Sequence, residues 1–194
     1  NPAFNLLEIN AAGIVNSAPN ITYLSLVELD TDVAYYWRVR TNDGSGYGNY
    51  STTANFTLDS YLATTLVNSQ VNFGNVSAGS SYDTLLGSPA PFLLVNNGNI
   101  INNVTITATS YFQSAAFPSE YYQFKARANE SGSFNENLSA MSWTNMTNET
   151  SIIHVVNWDW HEVNNDFLTD LKVTIPNDEG YGAKNSTVTF AVSG

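Results

Sequence analysis

Side chains alternate between apolar and polar along most of this chain, and a period of two leaves few options other than extended strands. In Ala34-Tyr35-Tyr36-Trp37-Arg38-Val39-Arg40, the residues Tyr35, Trp37 and Val39 point one way; Tyr36, Arg38 and Arg40 point the other. Asn42-Asp43-Gly44-Ser45-Gly46 follows with residues that tolerate positive φ, so a half-buried strand ends in a turn. Ala54 to Leu58 reads as the returning strand, with Phe56 and Leu58 inward. Further on, Val104, Ile106, Ala108 and Phe112 alternate with Thr105, Thr107, Thr109 and Tyr111. Tyr121 to Ala128, Ile152 to Asn157, Leu168 to Ile175 and Val188 to Val192 repeat the pattern. Short strands with frequent turn signals predict an all-β fold of antiparallel sandwiches. Pro118 and Pro176 fall at strand ends, where a missing N–H costs least.

Apolar residues make up 43% of the 194, and aromatics 13%, which is ample for a packed core in one large domain or two ordinary ones. Charge is scarce and one-sided. Three Lys (125, 172, 184) and three Arg (38, 40, 127) face seventeen acids, for a net of −11. Such a surface repels phosphate backbones, which argues against nucleic-acid binding. The absence of cysteine removes disulfides, thiol catalysis and finger-type zinc sites. No run of eighteen apolar residues occurs, so no direct membrane span is expected. Asn1-Pro2-Ala3-Phe4 has neither Met nor a basic leader, and any signal peptide or anchor is expected outside these residues.

Ten Asn-x-Ser/Thr sequons are present, with acceptors Asn20, Asn49, Asn55, Asn75, Asn103, Asn129, Asn137, Asn145, Asn148 and Asn185. Composition alone yields roughly five such triplets. Twice that number predicts covalent N-glycans and an extracellular, cell-surface location. The alternation supports this expectation. Asn55 and Thr57 share the polar side of their strand opposite Phe56 and Leu58, and Asn103 and Thr105 oppose Val104 and Ile106.

Residues 21–58 resemble the C-terminal half of a fibronectin type III domain. Leu29-Asp30-Thr31-Asp32-Val33-Ala34-Tyr35-Tyr36-Trp37-Arg38-Val39-Arg40, with Asn42-Asp43-Gly44, is similar to that family's E–F corner and strand F. The resemblance implies that Leu29 plugs the corner and that the Tyr35 hydroxyl caps upstream backbone. It also implies a strand E at Asn20 to Leu26 and a strand G at Ala54 to Leu58. Phe4 to Ile9 would be strand C or C′. Only about 58 residues precede the next unit, against roughly a hundred for a complete sandwich of this kind. The first domain is therefore expected to be incomplete within this chain. Val71-Asn72-Phe73-Gly74-Asn75-Val76-Ser77-Ala78-Gly79-Ser80, then Phe92-Leu93-Leu94-Val95-Asn96-Asn97-Gly98-Asn99, is similar to the opening of the ASPM, SPD-2 and Hydin type of sandwich. Thr174-Ile175-Pro176-Asn177-Asp178-Glu179-Gly180 and Thr187-Val188-Thr189-Phe190 resemble surface-exposed bacterial and archaeal modules. Together these resemblances imply two immunoglobulin-like antiparallel β-sandwich domains in tandem, at 1–60 and 61–194. Dense sequons without cysteine, beside such modules, look most like archaeal envelope proteins.

Candidate chemistry is thin. His154 and His161, the only histidines, flank Trp158-Asp159-Trp160 and bring no third nitrogen or sulfur ligand. The strand there reads as a core or inter-sheet stripe; an exposed aromatic pair would instead stack on sugar rings. Asp30, Asp32, Asp43, Glu162, Asp166, Asp170, Asp178 and Glu179 make calcium the one candidate cofactor, though no spaced twelve-residue ligand loop occurs. No Gly-x-Ser-x-Gly elbow, phosphate loop or Cys–His pair is present, so no enzyme is expected. Gly44-Ser45-Gly46-Tyr47-Gly48 joins antiparallel strands and reads as a hairpin turn.

The expected role is structural: a heavily N-glycosylated subunit of a cell-surface layer, sheath or filament, a homo-oligomer or polymer. Strand complementation between subunits would bury Tyr35, Trp37 and Phe56 as interface or core. The alternative is a carbohydrate-binding or adhesive module of a larger surface protein.

Overall fold

The computed structural model describes residues 29–194, and the expected strands at Phe4 to Ile9 and Asn20 to Leu26, with Asn20, lie outside them. The chain divides into two compact units, Asn1–Ser60 and Tyr61–Gly194. Among the described residues every regular element is a strand.

In the first unit, β1 (Ala34–Trp37) pairs antiparallel with β2 (Ala54–Thr57), setting Tyr35 opposite Phe56. Their rings stack at 5.7 Å. Between them a turn closes by a bridge from Asn42 to Tyr47, with Gly44 at φ 92°. The Asp43 carboxylate accepts from Ser45 Oγ and from the N–H groups of Ser45 and Gly46; these bonds, led by the Ser45 hydroxyl, lower its pKa. The N–H of Asp30 donates to the Tyr35 hydroxyl at 2.7 Å, so this tyrosine does cap upstream backbone. The inward packing expected of Trp37, Val39, Phe56 and Leu58 is not made within the described residues. Trp37 is 49% exposed and Phe56 40%, and among the described residues no second layer lies over this two-stranded sheet.

The second unit is a sandwich. Its larger sheet holds β3 (Thr64–Asn68), β4 (Ser81–Asp83), β5 (Phe92–Asn96), β7 (Tyr122–Ala128), β8 (Thr144–Asn145) and β10 (Asp166–Thr174). The order is β3-β5-β10-β7-β8, with β4 also against β10. The smaller sheet runs β11-β6-β9, from β6 (Asn102–Ala108), β9 (Ile152–Trp158) and β11 (Val188–Ser193). Alternation explains the core directly. Val104, Ile106 and Ala108 of β6 are buried while Asn103 is exposed, and Tyr122, Phe124 and Ala126 of β7 are buried between partly exposed Gln123, Lys125 and Arg127. Rings then meet across the sheets: Trp158 on Phe167 at 4.8 Å, Phe92 on Phe190 at 5.6 Å, and His154 on Phe124 at 5.1 Å.

β10 serves two partners on one side. Asp166–Thr169 pair with β5 and Lys172–Thr174 with β4, leaving Asp170 and Leu171 at the junction. Thr84 fills that gap. Its N–H donates to the Leu171 carbonyl at 3.1 Å, and its hydroxyl accepts from the Leu171 N–H and donates to the Asp170 carboxylate. Arg127 completes the node with two bonds to Asp170, at 2.7 and 3.0 Å, which raise the pKa of its guanidinium. A two-point Arg–carboxylate contact of this kind orients both groups as well as pairing their charge.

His154 is fully buried; its Nε2 lies 2.7 Å from Thr169 Oγ1 and its Nδ1 has no partner. Burial pushes its pKa down to about 3. The unfolded state binds a proton near pH 6.5 that the folded state refuses, so this residue's contribution is complete above 6.5 and shrinks as pH falls toward 3. His154→Met should therefore remove up to about 1.4 kcal/mol per pH unit of the acid-side loss in stability. Urea melts of both proteins from pH 7 to 4 measure the difference, and parallel curves would refute the assignment. Tyr35→Phe, by orphaning the Asp30 N–H, should cost about 0.5–1.5 kcal/mol in the first unit, read from the same melts.

Candidate functional site

The surface chemistry that stands out is the set of acceptor asparagines. All nine that lie among the described residues are exposed. Of the twelve other described asparagines only five are, and Asn96 and Asn102 are completely buried. Asparagine as a residue type therefore does not account for the uniform exposure of the acceptors, since seven of the twelve others are at least partly buried.

Each position has a local cause. Asn55 and Asn103 occupy the solvent side of β2 and β6. At Asn103 the β6–β9 register slips between Asn102 and Val104, and the Asn157 N–H, from a residue at φ 54°, donates to Asn103 Oδ1 at 3.0 Å. That bond engages the oxygen and leaves the amide nitrogen, where a sugar attaches, out of this contact. Asn145, on the two-residue β8, is held likewise by Gln123 Nε2 at 2.9 Å. Asn129 differs: its own Nδ2 donates to Asp166 at 2.9 Å. Asn49, Asn75, Asn137, Asn148 and Asn185 lie in turns and loops.

An open cleft of about 950 Å³ in the second unit is lined by Phe73, Asn75, Tyr111, Phe112, Tyr181 and Asn185, so two acceptors stand at its walls. Glu179 borders it. Pairing with Lys184, then bonds from Ser114, bring its pKa down to about 2.

The other candidate residues separate. Trp158 is buried between the sheets and donates its Nε1–H to Asn165, whereas Trp160 lies past the strand end and stacks on His161 at 4.3 Å. The two tryptophans do not share one stripe, because β9 stops at Trp158. Asp159 accepts from the His161 ring and from the N–H groups of Trp160 and His161. Burial works to raise its pKa, but those bonds outweigh it and the net shift is downward. The candidate calcium carboxylates do not converge: Asp170 is taken by Arg127, Glu179 by Lys184, Asp43 by its own turn and Asp166 by Asn129. Among the described residues no group of three acids or histidines is placed to hold a metal, and no helix is long and apolar enough to cross a membrane.

Sequence reasoning missed Trp143. Lys125 and Lys172 hold their ammonium groups 5.1 and 5.9 Å from its ring centre on the outer side of the large sheet. Its position two residues before Asn145 was the available signal.

In protein made without sugar, Asn→Gln at Asn55, Asn137 or Asn148 should leave stability within about 0.5 kcal/mol. Asn96→Ala should cost about 2–4 kcal/mol, since the buried Asn96 amide bonds Ile100, Asp159 and Gly98. Thermal melts of the four variants check the contrast.

No family model, curated protein or solved structure matches this chain.

Proposed function

We propose that this chain is an N-glycosylated, extracellular structural protein that packs with copies of itself in a cell-surface layer, sheath or filament. The observation that carries the reading is the exposure of every described acceptor asparagine, set against the mixed burial of the others. A surface shaped to keep one short triplet in solvent nine times over is what sugar attachment requires.

The two edges of the large sheet add support. β8 carries Asn145 and is followed by Asn148, whereas β3 has no acceptor between Asn55 and Asn75. β3 pairs only with β5 and leaves Leu66 38% and Val67 58% exposed. Carbohydrate would shield one open edge and leave the other for a second copy to extend. In the first unit, exposed Trp37 and Phe56 give strand complementation between copies a surface to cover. The module is of the immunoglobulin-like and fibronectin-like kind, in this reading, and the envelope of an archaeon is the setting it resembles most.

Electron microscopy of native material tests the assembly directly: ordered polymers or lattices are expected, and dispersed single particles at all concentrations would overturn it. Copies bearing −11 repel one another, and screening falls from about 30 Å at 0.01 M salt to about 3 Å at 1 M. Sedimentation should therefore show larger species as salt rises.

The second reading, a sugar-binding adhesive module, draws on the Trp160–His161 stack. It requires Trp fluorescence to change on adding oligosaccharides to a monomer, and Trp160→Ala to abolish the change.

A further inference from the structure

Every lysine and arginine of this acidic protein either precedes an acceptor asparagine by one or two residues or lies over an aromatic ring within two residues of one. Arg40 lies 3.8 Å from the centre of the Tyr47 ring, two residues before Asn49, and Arg38 lies 3.9 Å from that of Tyr50, one residue after it. Lys125 and Lys172 flank Trp143, two residues before Asn145. Arg127 is two residues before Asn129, and Lys184 directly precedes Asn185. Six cations among seventeen acids have abundant carboxylates to pair with. Arg127 and Lys184 do so. Among the described residues, Lys125, Lys172 and Arg40 have no carboxylate within ion-pair distance and lie over aromatic rings instead.

The register at Asn145 makes this arrangement a cradle. Gln123 pairs with Asn145 and Phe124 with Thr144, and Phe124 points into the core. Asn145 and Trp143 therefore share the outer side, beside Lys125 and Lys172. Two residues along a strand span roughly 7 Å, within reach of the first one or two sugars of an attached chain. A pyranose turns its C–H hydrogens, slightly positive, toward the electron-rich ring face. The two ammonium groups at that ring would then meet whatever charge the sugar carries.

We propose that Asn145, with Trp143, Lys125 and Lys172, and Asn49, with Tyr47, Tyr50 and Arg40, are docking sites for their own anionic glycans. The glycans carry a uronic acid or a sulfate ester, the sugar stacks on the aromatic ring, and the anion faces the cations. This inference rests on the reading that the sequons bear sugar, and it names the class of sugar.

Glycopeptide mass spectrometry of the native protein is the first test. Uronate or sulfate on Asn49 and Asn145 is expected. Neutral sugars alone at both, or bare asparagine at both with sugar elsewhere, would overturn the proposal and leave the glycoprotein reading standing; sugar nowhere on the chain would remove both. The second test is thermal. In dilute, natively glycosylated protein, Asn145→Gln should lower the melting temperature by roughly 2–4 °C. In a Lys125→Gln/Lys172→Gln background that loss should at least halve, and in the wild type it should shrink as salt rises. An equal loss in both backgrounds overturns the cradle. So does a lysine effect seen only in assembled material, since the sugar would then belong to a neighbouring copy.

Discussion

The buried carboxylate of Asp170 is the interaction on which the second unit turns. One strand, β10, is asked to hydrogen-bond β7 along one side and both β5 and β4 along the other. Where β5 stops and β4 begins, the ladder would leave a backbone N–H without a strand partner. Thr84 supplies that partner with its hydroxyl, and Asp170 orients the hydroxyl while two nitrogens of Arg127 hold Asp170. A charge with no exposed side-chain surface is tolerable only with such a set of donors. β4, β5 and β7 all pair with β10 around this node, and β3 and β8 join the sheet through β5 and β7.

The same geometry explains what could be read in advance. A period of two was legible wherever one side of a strand faces the core and the other water, as in Val104-Thr105-Ile106 and Tyr122-Gln123-Phe124. The antiparallel, all-β character followed from it, as did the solvent side of Asn55 and Asn103. Alternation says nothing about strands that are short or polar, so β4 and β8, three and two residues long, gave no signal. Nor does it reveal that Thr84, Asp170 and Asn96 are buried, because their burial depends on partners far away in sequence.

Aromatic side chains divide along another line. Trp158, Phe167 and Phe124 close the sandwich, while Trp143, Tyr47 and Tyr50 carry cations at the surface. Both groups sit on or next to strands, and composition treats them alike. Only register separates them: Thr144 opposite Phe124 fixes Trp143 on the outside. In the first unit the described hairpin leaves that division open, since Tyr35 is half covered by Phe56 while Trp37 is not.

One consequence of the shared strand concerns cooperativity. Because β10 pairs with β7 on one side and with β5 and β4 on the other, it joins the strands of its sheet into one hydrogen-bonded unit. Amide protons along Phe167–Val173 should thus exchange with solvent only through complete unfolding, while those of β3 and β8 leak out by fraying. A protein of this design has rims that can open and re-pair in its neighbours' company, around a centre that yields all at once.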